Sequence, residues 1–254
     1  MADPDAQLKD SVIRFCQEQG IPAEAIPRGA GPTPDLLIDA DTTGAAIMEI
    51  KHKTDDAREL EQLSAQLSTG RVVEYAKPID YWNRMDGLVG DAVAQMQAYD
   101  PTRRLYHVIW AHCTGLNEGL SPIRLHATLY GTQKLVSTDV AHVITAYYFL
   151  HNSFFRHRET LDAVIISQEG GARLQLNPFS VCRDMFARTR FGRVFGDPFL
   201  PEQQSGSPNV MICDADAPRG DKDAMVGYLR EKYRLNHLQL MPMSFIAGMV
   251  GDPT

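Results

Sequence analysis

The sequence predicts an α/β protein. Segments with the apolar spacing of amphipathic helices alternate with short apolar runs that read as strands, and glycine or proline follows most of them. Residues 6–19 form the first predicted helix, which Gly20 ends. Residues 35–53 follow as a hairpin of two strands, and residues 55–69 follow as a second helix. A buried strand at residues 105–111 completes the order helix, hairpin, helix, strand.

Shorter segments connect these elements. Residues 21–34 are rich in proline and glycine, which favours a turn or an irregular edge strand. Residues 71–76 are predicted as a short strand and residues 77–87 as a loop. The next helix runs to Tyr99, because apolar residues follow helical spacing from Leu88 onward and an Asp-Pro pair then closes the segment.

The second half of the chain keeps the α/β character. Two predicted strands, at residues 161–167 and 172–176, flank the turn Gly170-Gly171. The other expected segments are a strand broken at Gly131 (124–136), a helix (140–150), a loop (198–208), a late strand (211–214) and a final helix (223–233).

Composition excludes several classes of protein. The 254 residues, 44% of them hydrophobic, can form an ample buried core. No apolar run reaches membrane-spanning length and the first residues are acidic, so we expect no membrane segment, no secretory signal and a cytoplasmic protein. The four cysteines are widely separated, which argues against a zinc or redox motif and for reduced thiols.

Charge gives a second constraint. The net charge of −7 is not typical of a protein that coats nucleic acid, but a nuclease needs only a local basic surface. Arginine binds phosphates bidentately and aromatic rings stack on bases. The alternative for each basic cluster is a solvated helix whose phenylalanines pack on the core. The clusters lie at residues 103–104, 156–158 and 183–193.

The hairpin carries the most informative residues. Its first strand begins at Asp35, directly after a proline, and its second strand contains the triplet Glu49-Ile50-Lys51. Strand side chains alternate between faces, so Glu49 and Lys51 point to the same side of the sheet. If the two strands pair, Asp35 can lie near Glu49, and two carboxylates at one point suit a hard cation such as Mg²⁺. No other Asp or Glu in the chain is followed two residues later by lysine.

A second pattern follows on the helix that ends at Tyr99. Gln95 and Tyr99 are four residues apart, so they occupy one stripe of that helix. Taken alone, the pair is equally an amide and an amphipathic ring at the edge of an ordinary helix. About 40 residues separate it from Lys51, which is a long connection for a compact core.

The Pro-Asp strand and the Glu-x-Lys strand resemble the PD-(D/E)XK nuclease superfamily, the restriction-endonuclease-like phosphodiesterases. The later Gln-x-x-x-Tyr is similar to the RecB-like and lambda-exonuclease-like branch. The resemblance implies Asp35, Glu49 and Lys51 as catalytic residues, with the metal held by Asp35, Glu49 and the Ile50 carbonyl group. Gln95 and Tyr99 would orient the site or touch the substrate.

The same resemblance implies a restriction-endonuclease-like α/β sandwich around a central mixed sheet, with a C-terminal α/β extension. It covers roughly the first 112 residues, and we expect a nuclease-like core at residues 1–135 and the extension, packed on it, at residues 136–254. Fold analogy alone does not establish function.

The expected function is Mg²⁺-dependent hydrolysis of DNA phosphodiester bonds, with Mn²⁺ as a substitute metal, in anti-phage defence or repair. The chain shows no recognisable DNA-recognition domain, so a helicase, an ATPase or another recognition subunit is the expected partner in addition to DNA. Two alternatives stay open: a catalytically silent nuclease-like scaffold that binds a partner protein, and a plain α/β protein with a chance motif.

Overall fold

A computed structural model gives the architecture, and it describes residues 4–29, 31–39, 44–69, 72–79, 83–115, 119–214 and 219–250. Its strands are β1 (Ala23–Ala25), β2 (Leu36–Ile38), β3 (Ala46–Lys53), β4 (Val72–Pro78), β5 (Tyr106–Cys113), β6 (Gln133–Val136), β7 (Ile144–Tyr147), β8 (Ala163–Gln168), β9 (Gly171–Leu176), β10 (Val210–Ile212), β11 (Gln239–Leu240) and β12 (Ser244–Val250). Its helices are α1 (Pro4–Glu18), α2 (Ala57–Leu67), α3 (Asn83–Tyr99), α4 (Leu120–Tyr130), α5 (Ser153–Arg156), α6 (Arg183–Arg188), α7 (Arg190–Arg193) and α8 (Lys222–Tyr233), with a 3₁₀ helix at Pro201–Gln204.

A six-stranded sheet with the order β1-β2-β3-β5-β8-β9 lies at the centre. The strands β3, β5 and β8 are parallel to one another. The outer strands pair antiparallel, β1 and β2 at one edge and β9 at the other. The expectation of an α/β fold with a central mixed sheet is confirmed.

Helices cover both faces of this sheet. On one face Val12 of α1 packs in a buried cluster that includes Met48. On the other face Val89 and Met96 of α3 belong to a second buried cluster that includes Ile47. Neighbouring residues of β3 therefore contact opposite layers, as the alternation of strand side chains requires. No helix among the described residues is both long and apolar enough to cross a membrane.

Two smaller sheets accompany the central one. The first has the order β10-β7-β6-β11, and the second is the antiparallel pair β4 and β12. The pairing of β12 runs from Ser244, opposite Pro78, to Val250, opposite Val72. The sequence predicts the strand at 71–76, but no local pattern points to its partner at 244–250. The predicted loop at 77–87 is shorter than expected, because β4 extends to Pro78 and α3 already begins at Asn83. Residues 80–82 lie outside the described part of the chain.

A buried carboxylate connects β5 to β8. Asp162 is fully buried and accepts two hydrogen bonds from the guanidinium group of Arg103, at 2.9 and 3.1 Å. It also accepts bonds from the backbone N–H of His107 and the hydroxyl group of Ser180. A charge-assisted network of this kind satisfies a group that would otherwise be costly to bury.

Residues 124–130 are helical in α4, so the strand predicted over 124–136 is wrong in its first part. Leu125 and Leu129 are buried four residues apart on one face, and Pro122 lies in the first turn, where the missing N–H is tolerated. Gly131 ends the helix with φ of 59°, and a Cβ atom there would lie 2.3 Å from the Leu150 carbonyl oxygen.

The helix predicted over 140–150 is also wrong, because Ile144–Tyr147 forms β7. Apolar periodicity alone does not distinguish a helix from a strand in this segment. The segment is extended because it pairs with β6 on one side and with β10 on the other. The remaining predicted helices and strands are found within a few residues of their expected bounds. The expected boundary after residue 135 falls inside β6, and the central sheet takes β8 and β9 from beyond it.

Candidate functional site

The side chains of Glu49 and Lys51 lie on the α3 face of β3. Ile47, two residues before Glu49, belongs to the core cluster that contains α3, whereas Met48 belongs to the cluster on the α1 side. The two-residue period of a strand therefore directs Glu49 and Lys51 toward α3. His52 is on the opposite side, where its Nε2 atom lies 2.8 Å from the hydroxyl group of Thr114.

Asp35 is anchored to β3 by two hydrogen bonds. Its backbone N–H donates to the carbonyl oxygen of Met48 at 3.0 Å, and its Oδ2 atom accepts from the backbone N–H of Ile50 at 2.9 Å. These two positions flank Glu49 along the strand. The Asp35 charge is close enough to Glu49 to contribute to raising the pKa of that carboxyl group. The hairpin therefore brings together the two carboxylates that the sequence pointed to.

Glu49 is the most buried acid of the site, with 4% of its surface exposed. Its Oε1 atom accepts a hydrogen bond from the Lys51 ammonium group at 2.8 Å. Its Oε2 atom is buried and has no hydrogen-bond partner among the described residues. Burial is the main reason that the pKa of Glu49 is raised; Asp35 adds to it, while Lys51 and Lys9 oppose it.

Lys51 connects β3 to α3. Its ammonium group donates to Glu49 and also to Oε1 of Gln95, at 3.2 Å. The structure thus places Gln95 in contact with the catalytic candidates despite its separation in sequence. Tyr99, one turn further along, ends the helix and is 43% exposed. It lies on the same stripe of α3 as Gln95 but does not share the part-buried contact of Gln95 with Lys51.

Lys9 of α1 is a member of the site that the sequence analysis missed. Its ammonium group lies 2.6 Å from Oδ1 of Asp35, and both side chains are about one fifth exposed. No spacing rule links a lysine on the first helix to the hairpin. The available signal is that Lys9 stands between Leu8, packed against the core, and the buried Val12 three residues later, so it is at the edge of the face that packs on the sheet.

The donor set is compatible with a hard divalent cation. Magnesium prefers oxygen ligands and keeps several of its waters, so two carboxylates and a backbone carbonyl group are sufficient protein ligands. The Oε2 atom of Glu49 is buried without a hydrogen-bond partner among the described residues, so it is the oxygen of this carboxylate that fits a ligand position. Ile50 fits as the third ligand because N–H and C=O of one strand residue point to the same side, here toward Asp35. Among the described residues no cluster of three or more His, Cys, Asp or Glu side chains forms a metal site.

The predicted basic clusters are mostly engaged in the fold. Arg156 pairs with Asp86 of α3, and Arg190 donates to the backbone carbonyl group of Gln19. Phe186 and Phe191, which lie between the arginines of the third cluster, are fully buried. The phenylalanines of that cluster therefore pack in the core, as the alternative interpretation predicts.

No protein-family profile, no curated protein and no solved structure matches this chain. Its functional interpretation therefore depends on the geometry of Asp35, Glu49, Lys51 and Gln95.

Proposed function

We propose that the chain is a Mg²⁺-dependent nuclease of the PD-(D/E)XK type that hydrolyses DNA phosphodiester bonds, and that its fold is restriction-endonuclease-like. One observation carries the proposal: Glu49, with a buried and partnerless carboxylate oxygen, stands between a second carboxylate, Asp35, and the ammonium group of Lys51. The mixed central sheet with helices on both faces supports it.

Each residue of the site would have a separate role in the hydrolysis. Asp35, Glu49 and the Ile50 carbonyl group would hold Mg²⁺ or Mn²⁺, which when bound neutralises phosphate charge and lowers the pKa of a bound water. Lys51 would place its positive charge beside the attacking water and the developing negative charge on phosphorus oxygens. Gln95 fixes the Lys51 side chain by accepting one of its three donors. The oxygen of water would form a bond to phosphorus and lose a proton to solvent, while the bond from phosphorus to one sugar oxygen breaks and that oxygen takes up a proton from solvent.

DNA is proposed as the substrate, and anti-phage defence or repair as the setting, on the resemblance alone. The net charge of −7 leaves little sequence-independent attraction to a polyanion, so a helicase, an ATPase or another recognition subunit would supply target choice. Tyr99, exposed at the end of α3 on the stripe of Gln95, is suited to touch the substrate.

The test uses linear and circular DNA, with an RNA of the same sequence, in the presence of Mg²⁺ or Mn²⁺. Wild type should cleave, whereas Glu49→Gln and Lys51→Met should lose activity by about 100-fold or more. Glu61→Gln and Lys222→Met change charge equally on exposed parts of α2 and α8 and should cleave as wild type. Equal cleavage by all variants would assign the activity to a contaminant or to another site.

A second candidate is the silent scaffold subunit. It is favoured by the observation that each carboxylate already has a lysine partner, Lys9 on Asp35 and Lys51 on Glu49. Titration calorimetry with Mn²⁺ separates the two functions. A nuclease should bind Mn²⁺ in a manner that Glu49→Gln abolishes, whereas a scaffold should bind none and cleave neither nucleic acid.

A further inference from the structure

A cavity of about 920 Å³ lies where the central sheet meets the smaller sheet that contains β6 and β7. Its walls come from α4, from β6 and β7, and from the hairpin of β8 and β9. Its volume is at the upper end of the range of small-molecule sites, about 300–1,000 Å³. None of the nuclease candidates lines it.

Two cations line the cavity without a carboxylate partner. Lys134 of β6 is half-buried, and its ammonium group donates to the hydroxyl group of Thr145 at 2.7 Å. The guanidinium carbon of Arg173, on β9, lies 4.9 Å from the centroid of the Phe199 ring. Neither forms an ion pair with a residue in the described part of the chain. Burial lowers the pKa of Lys134, so the site holds this charge at a cost that a bound anion would offset.

His126 of α4 also lines the cavity, and its ring is close enough to both cations to be affected by their charges. Burial is the main reason that the pKa of His126 falls to about 4, and Arg173 and Lys134 each lower it further. The ring is therefore neutral at physiological pH. Its Nδ1 atom lies 3.1 Å from Oε1 of Gln175, which can only accept, so Nδ1 carries the proton and Nε2 keeps its lone pair. The cavity thus offers two positive donors and one neutral ring acceptor, and one exposed carboxylate, Glu169, also lines it.

Aromatic rings form the apolar part of the wall. Phe199 and Tyr147 line the cavity and are 4% and 6% exposed. The His126 ring packs against Phe199 with centroids 4.7 Å apart and against Tyr147 at 5.9 Å. Interlocked rings of this kind are fixed in orientation, so they present a rigid apolar surface to a planar group.

We propose that this cavity binds a nucleoside phosphate. Lys134 and Arg173 would hold the phosphate, because both are donors without a carboxylate and arginine matches phosphate geometry bidentately. The base would lie against the Phe199 and Tyr147 wall, where the neutral His126 ring offers an acceptor to an amino group or a ring N–H. The proposal does not depend on nuclease activity, since it uses a different set of residues.

The test is a binding measurement in EDTA, so that a divalent cation at Asp35 and Glu49 cannot contribute. The purified protein is titrated by calorimetry with ATP, ADP, AMP, GTP, CTP and UTP, and separately with adenosine, inorganic phosphate and a short single-stranded oligonucleotide. The variants are Lys134→Gln and Arg173→Gln. The matched control is Arg230→Gln, an exposed arginine on α8 outside the cavity. Circular dichroism and thermal unfolding establish that each variant is folded.

At least one nucleotide should bind saturably and more tightly than adenosine or inorganic phosphate. Each cavity variant should weaken that binding about tenfold or more, while Arg230→Gln leaves it unchanged. Four results would overturn the proposal: no nucleotide binding, binding that both folded cavity variants retain, binding of inorganic phosphate or adenosine as tight as that of every nucleotide, or binding of the oligonucleotide alone. A Lys134 variant that fails to fold leaves the Arg173 variant, whose exposed side chain bears little on stability, to decide.

Discussion

Oδ2 of Asp35 accepts a hydrogen bond from the backbone N–H of Ile50, the middle residue of the Glu49-Ile50-Lys51 triplet. The first acid of the site is therefore fixed to the strand that carries the second acid before any cation binds. An asparagine at position 35 keeps an oxygen that can accept this hydrogen bond but carries no charge. An alanine has neither the acceptor nor the charge. This pair of substitutions separates the structural role of Asp35 from its chemical role.

Asp35→Ala should reduce the free energy of unfolding by about 1–3 kcal/mol, because the part-buried N–H of Ile50 loses its charged acceptor. Asp35→Asn should cost less than that, yet lose Mn²⁺ binding as fully as the alanine variant. Urea unfolding gives the first quantity and calorimetry the second. Equal stability of the two variants would contradict the structural role of the carboxylate.

Glu49 predicts a pH dependence of stability. Its pKa is raised in the folded protein, mainly by burial, so the folded state binds the proton more tightly than the unfolded state. The charged form therefore destabilises the fold: stability from this group is greatest below the unfolded pKa and falls as pH rises through the raised pKa. Glu49→Gln should be more stable than wild type at neutral pH, and the difference should shrink toward pH 4.

Urea unfolding at several pH values measures that difference. Glu61→Gln, on an exposed face of α2, is the control and should show no such trend. Mg²⁺ should restore much of the wild-type stability at neutral pH by replacing the proton. A Glu49→Gln difference that grows as the pH falls would contradict the raised pKa.

The contact of Gln95 with Lys51 predicts unequal roles for the two residues of the α3 stripe. Gln95→Ala removes an acceptor of the Lys51 ammonium group and should lower cleavage about tenfold or more. Tyr99→Ala, at a position 43% exposed, should change the free energy of unfolding by no more than about 0.5 kcal/mol and act on DNA affinity instead. Single-turnover cleavage and a gel-shift titration in Ca²⁺ distinguish the two effects.

Lys9 competes for the same carboxylate oxygen that a metal would use. Lys9→Met should strengthen Mn²⁺ binding several-fold, because a positive charge 2.6 Å from Oδ1 of Asp35 is removed. The pair is partly exposed, so the loss of stability should be below about 1 kcal/mol. Arg14→Met, on an exposed position of the same helix, is the matched control. Weaker Mn²⁺ binding in Lys9→Met alone would show that Lys9 supports the site.

Asp162 is the position where a conservative change should be most harmful to the fold. Asp162→Asn leaves the Arg103 guanidinium group beside a neutral amide in a buried place, and about 3–5 kcal/mol of stability should be lost. Asp184→Asn, at an exposed ion pair with Arg183, should change stability by about 1 kcal/mol at most. Denaturant midpoints of the two variants give the comparison directly.

Local periodicity was sufficient to predict the hairpin, the triplet and α3, because each depends on spacing within one segment. The same rule failed at residues 140–150, where β6 and β10 decide that Ile144–Tyr147 is extended. Lys9 and the cavity between α4 and β9 could not be predicted, since tertiary packing brings their residues together across large separations in sequence. The Gln95 contact was predicted only through a pattern, and its physical basis, a hydrogen bond to Lys51, required coordinates.

The parallel order of β3, β5 and β8 has a consequence for biosynthesis. β5 ends at Cys113, but β8, the strand that pairs with its other edge, begins only 50 residues later, at Ala163. Until Ala163–Gln168 has been translated, the edge of the apolar strand Tyr106–Cys113 that later pairs with β8 has no partner. Its unpaired backbone groups can then form hydrogen bonds with strands of other chains. A chaperone that shields this edge during translation should raise the yield of native protein, and slowing elongation before β8 should lower it.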